Sequence, residues 1–250
     1  MFNRNQEIYI YDGSFQGMLT CVFKCFEEKT IPAEIVSEKD FTPSLIPVTY
    51  VDTDEKKAER VYKSLSKKLS KQIQKFIWKV YLTYLPDKII TTIFFLELAY
   101  MEGPNVVNML GNEYVNKLLK AVQHMSYEQH KFLGFIRFSI HNNTLVSIIE
   151  PNNSILPLIA HHFCNRYNGE SFLIYDKTHS IGLIYSDYKA EIIQIDNLEL
   201  PKADDEELMY RNLWKQFYDT IAIKERFNPK CRMTLMPKRY WGNMTEFNQK

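Results

Sequence analysis

The spacing of apolar residues changes period once within the first 30 positions. In "EIYIYDG" (7–13), Ile8, Ile10 and their tyrosine neighbours make a short strand pattern that runs into an Asp-Gly turn. In "SFQGMLTCVFKCFEEK" (14–29), Phe15, Met18, Leu19, Val22, Phe23 and Phe26 recur at helical spacing behind Ser14, a good N-cap residue. The chain therefore opens strand, turn, helix. "AEIVSE" and "PVTYVDTD" supply two more short strands, with Pro43 and Pro47 marking the break between them.

Residues 54–83 have the spacing of one long helix or two, and Pro86 opens another that runs to about Met101. After "GPNVVNML" breaks the pattern, "NEYVNKLLKAVQHMSYEQ" resumes a helix. From there the period shortens. "KFLGFIRFSIH", "TLVSIIEP", "SFLIYD", "SIGLIYS" and "AEIIQI" are five strand candidates, interrupted by an apolar helix, "NSILPLIAHHFCNRY" (153–167). His141-Asn142-Asn143-Thr144 is a hairpin signal. "DDEELMYRNLWKQFYDTIAIKERF" is a last helix with an acidic first turn and a basic last turn, as the helix dipole favours. The pattern predicts an α+β protein with a mostly antiparallel sheet flanked by helices. It is expected as a single domain over 1–250, with a helical segment, 54–127, between an N-terminal strand-helix unit and a C-terminal sheet region.

Composition narrows the class. At 250 residues, 45% hydrophobic, with 8 Gly and 10 Pro, the chain is built to fold. Four cysteines are too few for a disulfide framework. "MFNRNQEIYIYDG" has no apolar core of a signal peptide, and the longest apolar run, residues 89–101, is too short for a bilayer and holds Glu97. A cytoplasmic protein without a membrane partner is expected. The net charge of +1 conceals segregation. Nine Lys or Arg lie between Lys56 and Lys79 against the single acid Glu59, while acids gather in residues 196–207. Such asymmetry points toward polyanions.

On a helical projection Lys56, Arg60, Lys63, Lys67, Lys71, Lys75 and Lys79, with Lys57 and Lys68, share one arc. Val61, Leu65, Leu69, Ile73, Phe76 and Val80 take the opposite side. The cationic arc is either a plain solvated face or a phosphate-binding stripe. One sign of charge costs self-repulsion that interleaved acids would relieve, which favours a ligand. The tail "MPKRYWGNMTEF" joins Arg239 to Tyr240 and Trp241, a mix suited to phosphate contact and base stacking, or to docking the two rings in the core.

Other chemistry is sparse. Cys21-x-x-x-Cys25 matches the start of the CxxxCxxC pattern of radical S-adenosylmethionine enzymes, but Glu28 stands where the third cysteine belongs. Core cysteines are the expectation. The six histidines make no compact metal-ligand spacing, and neither a metal nor a cofactor is expected. In His161-His162 only one imidazole can face the sheet. Asp12, before the first helix, could act as a base or simply hold its turn. Arg137 sits inside the apolar run 132–140, read as a strand, so it needs either a buried acid or an outside anion. Glu150, one hairpin away, is the nearest candidate acid; a phosphate is the other reading.

Five segments together carry a family resemblance: "YIYDGSFQGMLTCVF", "EQHKFLGFIRF", "IIEPNNSILPLIAHHFCNRY", "SFLIYDKTHSIGLIY" and "MPKRYWGNMTEF". In this order they resemble a bacterial family described as "probable DNA metabolism protein", a domain of unknown function. Its members are encoded beside a DNA-repair radical S-adenosylmethionine protein, or fused to a uracil-DNA glycosylase-like domain. The resemblance implies a role in DNA metabolism with that repair protein as partner, and brings no established catalytic residue. The matched polar positions Asp12, Gly13, His130, Arg137, Glu150, His162, Asp176, Arg239, Tyr240 and Trp241 become candidates. The expected function is nucleic-acid binding in DNA metabolism or repair, with DNA as a partner. One alternative is an enzyme acting on a damaged base or nucleotide, with Asp12, His130, His162 or Asp176 as acid or base. The other is a protein-binding adaptor without DNA affinity.

Overall fold

Strand Asn3–Arg4 (β1) precedes Ile8–Tyr11 (β2), which is buried at every position. The helix Phe15–Glu28 (α1) and strand Thr30–Ile31 (β3), parallel to β1, lead to Glu34–Ser37 (β4) and then Val48–Tyr50 (β5). Strand β2 lies between β4 and β5 and runs parallel to both, and central parallel strands are covered on both faces. Ser14 caps α1 by accepting the Gly17 N–H, as its position before the apolar run predicts. Met18, Cys21, Val22 and Cys25 of α1 are fully buried, so both cysteines are core residues, and burial pushes their thiols up to about 12.

Residues 54–83 are two helices, Glu55–Ser64 (α2) and Lys71–Leu82 (α3), joined by a wide π turn at Leu65–Leu69. Lys88–Glu102 (α4) fills the core with Ile93, Phe95, Leu96 and Ala99. Glu113–Phe135 (α5) follows. The structure describes residues 2–200 and 205–247, and its contacts divide the chain into two units, Met1–Met125 and Ser126–Lys250, where the sequence pattern suggests one domain with an insert.

Helix α5 corrects one expected strand. Val115, Leu118, Met125 and Phe132 keep a helical stripe going, and the helix absorbs "KFLGF" up to Phe135. Only Ser139–His141 (β6) remains extended, so Arg137 lies in the connector and not within a strand. Strand β6 turns through Asn142 and Asn143, both at positive φ, into Thr144–Ile149 (β7). The helix Leu156–Arg166 (α6) crosses over to Phe172–Asp176 (β8), which hairpins through Ile181–Ser186 (β9) to Lys189–Gln194 (β10).

The sheet order is β10-β9-β8-β7-β6, and β7 and β8 are parallel while the other neighbours are antiparallel. The fold is α+β, but its largest sheet is mixed and its two smaller ones wholly parallel, in place of the mostly antiparallel sheet expected. A helical crossover such as α6 is what lets consecutive strands run the same way. Asp205–Ile221 (α7) and Pro229–Leu235 (α8) complete the fold. Asp204, expected to open α7, lies outside the described residues. Because α7 stops at Ile221, Lys224 and Arg226 fall in a separate 3-10 turn instead of its last turn. Among the described residues no helix is long and apolar enough to cross a membrane.

Candidate nucleic-acid interface

The apolar side of α2 and α3 docks as its spacing predicts. Leu65, Ile73, Ile77 and Val80 are fully buried, and Val61, Leu69 and Phe76 pack against the same core. Lys56, Arg60, Lys63, Lys67, Lys68, Lys71 and Lys75 are all exposed. The expected unbroken arc is interrupted at Ser70, whose φ of −163° and ψ of 159° are those of extended chain. Its hydroxyl accepts the Ile73 N–H at 3.1 Å and so caps α3. Gln74 Nε2 donates to the Tyr62 carbonyl at 2.8 Å, which holds the first turn of α3 beside α2.

These cations differ in how they are partnered. Lys63 pairs with Glu59, Lys57 with Glu27, and the Arg60 guanidinium lies 5.6 Å from the Phe23 ring centre. Lys67, Lys68, Lys71 and Lys75, flanking the break, have no carboxylate partner among the described residues. Four ammonium groups of one sign, without a carboxylate partner among the described residues, make this a patch of positive potential.

Asp12 sits just past the C-terminal end of β2, facing the start of α1. It accepts from Ser14 N at 2.9 Å, from Ser14 Oγ and, at 2.8 Å, from Thr53 Oγ1. Burial raises its pKa, but these hydrogen bonds outweigh that and hold the carboxyl below its ordinary value. A base with a depressed pKa and occupied lone pairs is a weak proton acceptor. Gly17 is what makes room for it: a Cβ there would lie 2.2 Å from Asp12 Oδ1. Gly13 takes a φ of 82°, completing the turn that aims α1.

In residues 126–250 the charged candidates are held by ion pairs. Arg137 meets Glu246, with Nη2 to Oε1 at 2.8 Å and Nε to Oε2 at 3.3 Å, and its guanidinium lies over Trp214. The carboxylate for Arg137 is thus Glu246 rather than Glu150, which is exposed and pairs with Lys177 at 3.2 Å. Arg239 donates to Glu128 Oε1 at 2.6 Å and also to the Tyr240 hydroxyl. Glu128 is buried and accepts two backbone N–H groups, Asn152 and Asn153, as well as the Asn153 side chain. Tyr240 is buried against Phe132 and Phe135, and Trp241 stacks on Phe247 at 4.7 Å while donating to the Met236 carbonyl. The Tyr240 ring is therefore packed inside the fold, and Phe247 covers one face of the half-buried Trp241 ring.

The remaining candidates do not assemble. Asp176 is fully buried and meets His179 Nδ1 at 2.6 Å. His130 and His162 are both exposed, so neither imidazole of the 161–162 pair faces the sheet. No hydrogen bond joins His130, His162 and Asp176 among the described residues, and none of those residues form a group of three or more His, Cys, Asp or Glu fit for a metal ion. The paired charged groups that the sequence pattern does not reveal are Glu128, Glu207, Arg211 and Glu246. Glu128 could have been suspected, since it interrupts the apolar stripe of α5 between Met125 and Phe132. Its partner, 111 residues away, carries no such signal. No curated protein matches the sequence. The family model described as a domain of unknown function, DUF4130, matches residues 86–246, and the chain belongs to that family.

Proposed function

We propose that this protein binds nucleic acid and serves DNA metabolism or repair beside a radical S-adenosylmethionine partner. The observation that carries the binding is the row Lys67, Lys68, Lys71 and Lys75, exposed and without internal acids among the described residues. Lys24, Lys117 and Lys177, by contrast, each pair with a carboxylate. A cationic row of this kind contacts backbone phosphates and releases their counterions without reading sequence. Support for the DNA-metabolism context and for the partner comes from the five-segment resemblance. Binding is favoured over acid-base chemistry because Asp12 and Asp176 are each engaged by internal donors.

The test is fluorescence anisotropy of a labelled duplex against the parent and a Lys67→Glu, Lys71→Glu, Lys75→Glu variant across a salt series. The variant should keep the parent's circular dichroism, because all three positions face water. Its affinity should drop, and the slope of log K against log salt should flatten by roughly 0.9 per phosphate contact removed. Equal affinity for parent and variant at matched salt would refute the interface. A pull-down with the radical S-adenosylmethionine protein as bait tests the partner separately.

A further inference from the structure

Beside Arg137 the second unit holds a cleft of about 410 Å³, independent of the lysine row. Its floor exists because β6 is short. Strand β6 covers β7 only from Thr144 to Val146, so Ser147 and Ile148 lie beyond the last paired residue on that side. One wall is the connector at Arg137, and another is α7, which contributes Arg211, Asn212 and Lys215. Arg137, Arg211 and Lys215 are cations, and among the described residues no carboxylate lines the space.

The acids stand behind the wall. Glu246 and Glu207 are 7% and 6% exposed, and each fixes one guanidinium: Glu246 holds Arg137, and Glu207 takes Arg211 Nε at 2.7 Å. Arg211 Nη2 also donates to Ser139 Oγ at 2.8 Å, and Glu207 Oε2 accepts the Ile140 N–H at 3.1 Å. Two carboxylates therefore orient two guanidinium groups, and Lys215 is left with no counter-charge among the described residues. The neutral donors are also uncommitted. Ser147 is 3% exposed, yet its hydroxyl has no partner among the described residues, and the side chains of Asn212 and Asn243 have none either.

We infer that this cleft binds a phosphate group, carried either by a free nucleotide or by a nucleic-acid backbone. A phosphate presents several oxygens to be met at once, and oriented guanidinium, ammonium, hydroxyl and amide donors meet them. A space of this size lies within the range of small-ligand sites, about 300–1,000 Å³, and exceeds what a bare phosphate fills. The residue that sets affinity is Lys215, the cation without an internal acid.

Calorimetric titration of the full chain in chloride buffer tests this with inorganic phosphate, thymidine 5′-monophosphate, unphosphorylated thymidine and a short single-stranded oligonucleotide. Saturable binding is expected for one or more phosphate-bearing probes and none for thymidine. Lys215→Glu should weaken that binding at least tenfold, and Lys215→Ala serves if the reversed charge disturbs folding by circular dichroism. Lys67→Glu should leave mononucleotide affinity within twofold, which separates this cleft from the lysine row. Loss of mononucleotide binding in the Lys215 variants assigns the cleft to free nucleotides, and loss confined to the oligonucleotide assigns it to backbone phosphate. The inference is overturned if no phosphate-bearing probe binds, or if every probe that binds does so equally well to a folded Lys215 variant.

Discussion

Arg137 and Glu246, 109 residues apart in the chain, meet through two nitrogen–oxygen contacts of 2.8 and 3.3 Å, and the Trp214 indole N–H donates to the same carboxylate at 3.2 Å. The Glu246 side chain is 2% exposed and that of Arg137 25%, so the acid is the costlier partner to strand. Replacing Arg137 by Met should destabilise the protein by about 3 kcal/mol, because it leaves a buried carboxylate without its cation. Urea denaturation gives the value. A change under about 0.5 kcal/mol would mean the pair contributes only as a surface contact does.

Glu128 allows a sharper comparison with Glu150. Glu128→Ala removes an acceptor used by two backbone N–H groups, one amide and one guanidinium, and should cost about 3–5 kcal/mol. Glu150→Ala breaks only an exposed pair with Lys177 and should cost about 0–1 kcal/mol. Thermal melts of the two variants should therefore rank far apart, and similar melting temperatures would contradict the assignment of the buried network.

Acid should unfold the protein through the same carboxylates. For Glu246 burial raises the pKa, but the hydrogen bond and charge of Arg137 outweigh it and the net value falls below 4.5; Glu207 behaves likewise with Arg211. A folded-state pKa below the unfolded one gives stability that is present above about 4.5 and lost as pH falls through the folded value. Melting temperature should thus hold between pH 7 and 5 and decline below 4.5. Glu246→Gln should show a shallower decline; an unchanged acid limb would remove Glu246 from the cause.

Gly17→Ala tests the space under Asp12. In an ordinary helix this exchange stabilises by roughly 1 kcal/mol. Here the new methyl would meet Asp12 Oδ1 and, at 2.9 Å, Thr53 Oγ1. The variant should be less stable than the parent, and a rise in melting temperature would show that the Asp12 turn gives way at no cost.

Ser70→Ala removes the cap of α3 while leaving every lysine in place. The expected loss is about 1 kcal/mol from the freed Ile73 N–H. Duplex affinity at low salt should change little, which separates the charge of the row from the stability of the helix that bears it.

What the sequence disclosed was local. The stripe of Leu65, Ile73 and Val80, the Ser14 cap, the burial of Cys21 and Cys25 and the Asn142-Asn143 hairpin all follow from spacing within a few residues. The break at Ser70 was hidden because its neighbours keep the helical period on both sides. The end of α5 was misplaced because "KFLGFIRF" is a short apolar run that suits either period, and the established helix wins by extending its hydrogen bonds. The apolar run around Arg137 marked its need for an acid, but nothing marks Glu246 as that acid, since what selects the partner is the fold between them. The cleft beside Arg211 and Lys215 depends on those pairings and was invisible for the same reason.

The two long-range pairs also dictate an order of events during synthesis. Glu128 and Arg137 are translated more than a hundred residues before Arg239 and Glu246. While the sheet strands β6 to β10 emerge, an acid destined for burial and a half-buried guanidinium still lack their partners, and water must go on hydrating them. Closing loops of this length carries an entropic cost that is met only when the late segment docks Tyr240 against Phe132. A nascent chain halted before residue 239 is therefore held short of its native packing, however complete its sheet.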